Sequence, residues 1–208
     1  TFMARRTKED ADATRNALLD AAELVFYEKG VARASLGEIA QAAGATRGAI
    51  YWHFKDKVDL FNAMMDRVTL PLEGVCNAGE LACVADPLQR LCARMERLLC
   101  SIASDTHTRR VFEIAIYRVE YVSELSRVRE RHLAAHERYQ ALLAHDLQLA
   151  AAEASLTLPM DVSAAATGLH ALFDGLLQSW LLGNASFDLL ATGRAAVDAY
   201  LRGLGFRV

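Results

Sequence analysis

The sequence predicts an all-α protein. Only three prolines, Pro71, Pro87 and Pro159, interrupt its 208 residues, and alanine and leucine dominate the stretches between them. Within these stretches apolar side chains recur every three or four residues, which is the period of a helix with one buried face. Near the N terminus a glycine-containing turn joins two short helices, which is typical of a helix-turn-helix unit.

The first helix is predicted over residues 8–29, because the apolar side chains in this stretch share one helical face. That face consists of Leu18, Ala21, Ala22, Val25 and Phe26. Gly30 follows directly and is expected to end the helix, since glycine tolerates the left-handed backbone conformation that closes a helix.

The second and third helices form the predicted helix-turn-helix. Ser35 and Glu38 fit a capping box, in which the hydroxyl and the carboxylate satisfy each other's backbone donors at the start of a helix. Gly44 ends this second helix after a short apolar face. Thr46 can cap a third helix that runs to about His53.

The third helix has a surface suited to DNA. Ala49, Ile50 and Phe54 can anchor it to its own domain, and the other side chains then face outward. These are Thr46, Arg47, Gly48, Tyr51, Trp52 and His53. Phenol, indole and imidazole groups can donate to phosphates, and their rings can contact sugars or thymine methyl groups. Arg47 can read guanine through two hydrogen bonds, and Gly48 allows the backbone to approach the duplex closely.

Further candidate DNA contacts surround this helix. Lys55 and Lys57 follow it, and Lys57 is expected to point toward a phosphate from the start of the fourth helix. Ser35 could donate to a phosphate beside the backbone amides that begin the second helix. Arg5 and Arg6 are expected in a flexible arm of the kind that enters the minor groove or follows the DNA backbone.

Overall charge does not predict DNA binding. The chain carries a net charge of −3, and ten Lys and Arg balance ten Asp and Glu up to Leu70. A DNA site must therefore come from local arrangement.

Two pairs of the candidate DNA contacts have an alternative interpretation. Tyr51 and Trp52 could be core aromatic residues, and Arg5 and Arg6 could form a solvated tail.

An ordered series of short segments points to a known family. The segments are Thr14-Arg15, Ala21-Ala22-Glu23, residues 26–31, residues 36–40, Ala43-Gly44 and residues 46–57. In this order they resemble the N-terminal domain of the TetR family of repressors, and within it the AcrR-like regulators of multidrug efflux pumps. The resemblance implies nine helices, a homodimer through the last two, a palindromic DNA operator, and phosphate contacts from Tyr51, His53 and Lys57.

The rest of the chain is predicted to form the later helices. Pro71 interrupts or ends the pattern of a fourth helix that starts near Asp56, and the poorly periodic stretch 73–85 could be a continuation of this helix followed by a loop. Asp86-Pro87 starts a fifth helix. Others are predicted over residues 106–119, 123–152, 159–182 and 186–204. The helix before Gly183 is apolar almost all round, so it is expected either at a dimer interface with the last helix or in the core of a monomer. The predicted domains are a DNA-binding domain, 5–57, and a ligand-binding and dimerisation domain, 58–208.

The second domain contains apolar helical faces interrupted by a few polar rings. A largely apolar cavity with a few polar groups suits a drug-sized aromatic or amphipathic ligand, and methionine suits varied packing. The candidate ligand-binding residues are Leu91, Met95, Leu98, Phe112, Ile116, His132, His136, Tyr139, His170, Phe173 and Leu177. The alternative is a filled core in which the histidines are hydrogen-bonded.

Other functional classes have weaker support. His132 and His136 have the i, i+4 spacing of metal ligands, but the order H-E-x-x-H is absent and such a pair more often packs, so we expect no metal and no cofactor. Motifs for a nucleophile or a phosphate-binding loop are absent, so we expect no enzyme. Four cysteines without a C-x-x-C pair, and no apparent signal peptide or membrane-spanning stretch, predict a cytoplasmic protein with reduced thiols.

Together these observations predict a dimeric, ligand-responsive transcriptional repressor. It would bind a palindromic operator, control a multidrug efflux operon, and be released by apolar or aromatic ligands. One alternative is a related regulator of a metabolic or cell-surface operon. Another, from a different class, is an all-helical ligand carrier or enzyme without a role on DNA.

Overall fold

The computed structural model describes residues 2–77, 84–120 and 125–208, with the backbone alone for 2–7 and 72–77. In these ranges the protein forms nine α-helices, as predicted, and none of them is long and apolar enough to cross a membrane. They are α1 (Phe2–Lys29), α2 (Leu36–Ala42), α3 (Arg47–His53), α4 (Lys57–Asn77), α5 (Pro87–Ser104), α6 (Thr106–Tyr117), α7 (Ser126–Glu153), α8 (Val162–Leu182) and α9 (Leu189–Gly203).

The helices group into two compact units that are not contiguous in sequence. The first unit comprises Thr1–Thr69 and His107–Arg131, and the second comprises Leu70–Thr106 and His132–Val208. Helix α6 therefore belongs with the three N-terminal helices, although it lies far from them in the sequence. That residues 5–57 and 58–208 form two separate domains stays a prediction.

The first unit has a core of apolar side chains from α1 to α4. Helices α1, α2 and α3 pack on one another. The rings of Phe26 and Phe61 lie with their centroids 6.0 Å apart, and both are fully buried. Ile39 and Ile50, one from each helix of the helix-turn-helix, are also fully buried. This core holds α3 by one face only.

A buried acid ties α6 to α1. Glu23 is 3% exposed and accepts a hydrogen bond from Arg110 Nη1 at 2.9 Å, while His107 Nδ1 also contacts its carboxylate. Arg67 of α4 approaches the same carboxylate at 3.7 Å and donates to Asp20 at 2.7 Å. An unpaired buried carboxylate is costly, so α6 and α4 supply the charges that allow Glu23 to be buried.

Helix α1 extends further than the sequence predicts, and α4 follows one of the two possibilities that the sequence left open. Helix α1 starts at Phe2, so the backbone of Arg5 and Arg6 is helical and does not form the expected arm. No glycine or proline occurs before Gly30, so nothing in this stretch opposes helix formation. Helix α4 continues through Pro71 to Asn77. Proline removes only one backbone hydrogen bond, and side chains buried upstream already anchor this helix.

The second unit is held by packing of α9 on α5 and α8 and by a buried ion network. Asp146 of α7 is 2% exposed and accepts hydrogen bonds from Arg90 at 2.8 and 2.9 Å and from Arg94 at 3.0 Å. Tyr200 of α9 donates to the carbonyl oxygen of Ala165 on α8 at 2.9 Å. These contacts position α7 and α8, which carry the polar rings.

Candidate DNA-binding and ligand-binding sites

Helix α3 begins and ends where the sequence predicts. The Thr46 hydroxyl oxygen accepts a hydrogen bond from the backbone N–H of Ala49 at 3.1 Å, which caps the first turn. Phe54 leaves the helical conformation and donates its backbone N–H to Ile50 at 2.9 Å. Ile50 and Phe54 are buried, whereas Ala49 is half-buried and contributes less as an anchor than expected.

The aromatic side chains of α3 lie on its outer face. Tyr51 is 51% exposed and Trp52 is 74% exposed, so neither is a core residue of this chain. The indole of Trp52 meets the His53 ring edge-on, with the centroids 4.6 Å apart. The guanidinium carbon of Arg47 lies 6.0 Å from the centre of the Tyr51 ring. Polar donors and flat rings therefore form one continuous exposed surface.

His53 lies at the edge of this surface and is half-buried. Burial, together with the nearby positive charge of Arg15, lowers the pKa of His53 below its usual value. The imidazole is therefore neutral at pH 7 and offers one N–H donor. Arg15 also lies over the Phe54 ring at 5.3 Å, so the same residue supports the end of α3.

Glycine at position 48 has no role in packing. Gly48 is exposed on the first turn of α3, and a Cβ added there would meet only the Thr46 hydroxyl oxygen, at 3.8 Å. That distance is ordinary van der Waals contact. The fold therefore accepts a side chain at this position, so packing within the chain does not require glycine here.

The two lysines after α3 differ in their surroundings. Lys55 is exposed, as expected for a phosphate contact. Lys57 Nζ instead donates to the carbonyl oxygens of Ala32 at 2.7 Å and Ala34 at 3.2 Å. This corrects the expectation that Lys57 points outward: the turn between α1 and α2 presents carbonyl groups that attract the ammonium group. Here Lys57 joins the start of α4 to that turn.

Ser35 forms the capping box predicted with Glu38. Its hydroxyl accepts from the Glu38 backbone N–H at 3.2 Å and donates to the Glu38 carboxylate at 2.9 Å, while the Ser35 backbone N–H donates to the same carboxylate at 3.0 Å. Hydrogen bonds from Lys29 and Ser35 lower the pKa of Glu38 to about 2. The Ser35 hydroxyl proton is thus used within the cap, contrary to the expectation that it donates to a phosphate.

Four of the predicted ligand-binding residues meet in the second unit. The rings of His136 and His170 stack with their centroids 4.2 Å apart at 25°. The Tyr139 ring lies 5.0 Å from His170 and 6.2 Å from Phe173. We call this group, formed by His136, Tyr139, His170 and Phe173, the ring cluster. It joins α7 to α8 with two imidazoles among apolar neighbours.

One side of the ring cluster is buried and the other is exposed to solvent. His170 and Phe173 are buried, whereas His136 is exposed. Burial, with a smaller contribution from His136, lowers the pKa of His170 to about 4, so its imidazole is neutral at pH 7. Burial also raises the pKa of Asp174, which lies four residues further along α8. Sequence reasoning missed Asp174, although its i, i+4 spacing from His170 was a usable signal.

The other predicted ligand-binding residues do not form one group. Leu91, Met95 and Leu177 are buried in the second unit, and Leu98 and His132 are half-buried there. Phe112 and Ile116 lie on α6 and belong to the first unit. Proximity of these residues to the ring cluster stays a prediction.

A separate cavity of about 190 Å³ lies between α5 and α9. It is lined by Cys92, Met95, Glu96, Leu99, Leu190, Gly193, Arg194, Val197 and Asp198. This volume is below the roughly 300–1,000 Å³ of sites for drug-sized ligands. Burial, with the neighbouring charge of Asp198, raises the pKa of Cys92 to about 11, so the thiol is protonated and unreactive at neutral pH.

Comparison with known proteins identifies the family. Residues 18–64 match "Bacterial regulatory proteins, tetR family", and residues 86–206 match "MAATS-type transcriptional repressor, C-terminal region". The HTH-type transcriptional regulator TtgR of Pseudomonas putida is 36% identical over 203 residues, which cover 96% of this chain and 95% of TtgR.

Solved structures agree with this assignment. NalD, the secondary repressor of the MexAB-OprM multidrug efflux pump in Pseudomonas aeruginosa, is 36% identical with a TM-score of 0.84, covering 93% of this chain and 98% of NalD. SmeT, the repressor of the Stenotrophomonas maltophilia multidrug efflux pump SmeDEF, is 31% identical in its triclosan complex with a TM-score of 0.77, covering 91% and 90% of the two chains. The chain therefore belongs to the tetR family of bacterial regulatory proteins, with the C-terminal region of the MAATS-type transcriptional repressors.

Proposed function

We propose that this protein is a ligand-responsive repressor of a multidrug efflux operon, which binds a palindromic operator as a dimer. The observation that carries the DNA-binding part is the exposed face of α3. Trp52 and Tyr51 are large aromatic side chains in water, beside Arg47 and Gly48, and they contribute little to the core. A helix held mainly by Ile50 and Phe54 can present this face to a major groove.

Within this face the residues have different proposed roles. Arg47, at the first turn, is the base reader, because a guanidinium can bond guanine through two donors. Tyr51, Trp52 and neutral His53 donate to phosphates or pack on sugars, which sets register without choosing sequence. Lys55 adds a phosphate contact. Lys57 supports the site from within the domain, through its hydrogen bonds to the α1–α2 turn.

Dimerisation through α8 and α9 is supported by the exposed face of α8. This face carries small or apolar side chains at helical spacing, Ala164, Ala171, Gly175 and Leu182, with the polar Gln178 among them. Leu182 is 79% exposed, and a Cβ at Gly175 would meet nothing within 4 Å in the single chain. A second copy would bury this face and would place two recognition helices on successive half-sites, roughly 34–36 Å apart.

Release from DNA is proposed to start at the ring cluster. Repressors of efflux pumps are among the relatives of this chain, and one of them, SmeT, was solved with triclosan, a small aromatic compound. The buried imidazole of His170, the exposed imidazole of His136, a phenol and Phe173 offer stacking surfaces and a few donors to such a ligand. A ligand that binds the DNA-incompetent conformation more tightly weakens operator binding by that difference in affinity.

A gel-shift with the full chain tests the whole proposal. The probe is the DNA flanking its own gene, with a random duplex of equal length as competitor, and native mass spectrometry reports the oligomer. We expect a dimer-sized shift that resists the competitor and is reversed by some members of a panel of antibiotics, dyes and phenolic compounds. A specific shift reversed by none of them would favour a regulator of a metabolic or cell-surface operon. No specific shift would contradict the DNA-binding role.

A further inference from the structure

Three side chains with metal-binding groups converge in the second unit, next to the aromatic part of the ring cluster. His136 comes from α7, and His170 and Asp174 come from α8. One candidate ligand atom of each lies within 4.8 Å of the others. We propose that His136, His170 and Asp174 bind a divalent transition-metal ion of the Zn²⁺ class and leave at least one coordination position open.

The spacing along the helices supports this site. His170 and Asp174 are four residues apart on one face of α8, and His170 Nε2 lies 3.7 Å from Asp174 Oδ1. His136 faces them from α7, with its ring stacked on His170. Two ligands from one helix and a third from its neighbour give a site that the packing of α7 on α8 already assembles.

The distances require only side-chain movement. Tetrahedral Zn²⁺ with bonds of about 2.0–2.1 Å places its ligand atoms about 3.3 Å apart. The three ligand atoms start within 4.8 Å of one another, so they need to approach by at most about 1.5 Å. His136 is exposed and can tilt out of its stack with His170, while the buried His170 ring stays in place.

The donor set selects the kind of ion. Two imidazoles and one carboxylate suit Zn²⁺ and neighbouring transition metals, whereas Mg²⁺ and Ca²⁺ prefer oxygen ligands. This differs from the pair considered from the sequence, because His132 is replaced by His170 and Asp174 as the partners of His136. The open position can take water or a donor atom of an organic ligand, so the ion would add polar recognition to an otherwise apolar site.

The test uses the full chain without an affinity tag, after chelator treatment. Titration calorimetry with Zn²⁺ alone and absorbance with Co²⁺ alone are expected to give one ion per chain, with the intense visible bands of tetrahedral Co²⁺. His136→Ala and Asp174→Asn should each weaken binding by more than about tenfold, because loss of a group that only supports a metal ligand already costs about that much. Thermal unfolding curves verify that both variants fold. His136→Ala is expected to fold because the His136 side chain is exposed.

His145→Ala is the matched control, since His145 is an exposed histidine on the same helix outside the cluster. Its affinity for Zn²⁺ should equal that of the unaltered chain. Absence of a stoichiometric ion, or equal losses in His136→Ala and His145→Ala, would overturn the proposal and leave His136 and His170 as a stacked pair. These measurements need neither DNA nor an organic ligand, so their failure would leave the proposed repressor function intact.

Discussion

The exposed face of α3 and the ring cluster of α7 and α8 are both rich in aromatic rings, but they relate differently to the core. On α3, Trp52 is 74% exposed, so its side chain has no folding role that competes with binding. In the ring cluster, Phe173 and His170 are buried, so the same contacts serve packing and ligand recognition. A substitution on the exposed face of α3 can therefore change binding without changing stability. A substitution in the ring cluster can change both, so each variant there needs a measurement of both.

The largest expected effect comes from the two faces of α3 itself. Phe54→Ala should lower the free energy of unfolding by about 3–5 kcal/mol, because it empties a buried site. Trp52→Ala should change that free energy by less than about 0.5 kcal/mol, as surface substitutions do, and should weaken DNA binding. Urea denaturation and fluorescence anisotropy with the operator measure the two quantities. Comparable destabilisation by both variants would remove the contrast on which the DNA-binding assignment depends.

Arg47 tests whether the exposed face reads bases. Arg47→Ala should reduce operator affinity by about 1–3 kcal/mol more than it reduces affinity for random duplex, because a bidentate contact to guanine is lost. Arg207→Ala, an exposed cation near the C terminus, serves as the control for loss of one charge. If Arg47→Ala lowers both affinities equally, then Arg47 contacts only the DNA backbone.

The neighbouring lysines sharpen the distinction between binding and support. Lys57→Ala should lower the free energy of unfolding by roughly 1–3 kcal/mol, since two carbonyl groups lose a charged donor. Lys55→Ala should leave stability unchanged and should reduce the slope of log affinity against log salt by about one. If the salt slope changes in Lys57→Ala and not in Lys55→Ala, then Lys57 leaves the α1–α2 turn when DNA binds.

In the ring cluster, His170→Ala should act on release rather than on DNA binding. Loss of the stacking and hydrogen-bonding surface should shift the concentration of ligand that releases DNA by about tenfold, or ~1.4 kcal/mol, with operator affinity in the absence of ligand unchanged. Titrating a releasing compound against the DNA complex measures the shift. A variant that loses only thermal stability would identify His170 as a core residue.

The order of the helices was predictable because caps, glycines and prolines are local signals. Thr46 caps α3, and Ser35 forms a capping box with Glu38. Both caps depend only on backbone N–H groups in the same turn of the helix. The start of α1 at Phe2 was not predicted, although no glycine or proline opposes it, and the continuation of α4 past Pro71 was one of the possibilities that the sequence left open.

The contacts of single side chains were less predictable. Exposure of Tyr51 and Trp52 followed from helical periodicity, against the alternative of a core position that their aromatic rings left open. The partners of Lys57 did not, since Ala32 and Ala34 lie more than twenty residues away. Likewise, the meeting of His136 with His170 depends on how α7 packs on α8, and no local pattern encodes that packing.

Gly48→Ala tests the central claim most directly, because it adds one methyl group to the proposed DNA-binding face and removes nothing. The fold has room for this Cβ and alanine favours helices, so the free energy of unfolding should stay the same or rise by about 0.5–1 kcal/mol. Operator affinity, measured by anisotropy on the same preparation, should fall clearly. Unchanged operator affinity in a fully folded Gly48→Ala protein would contradict close contact between α3 and DNA.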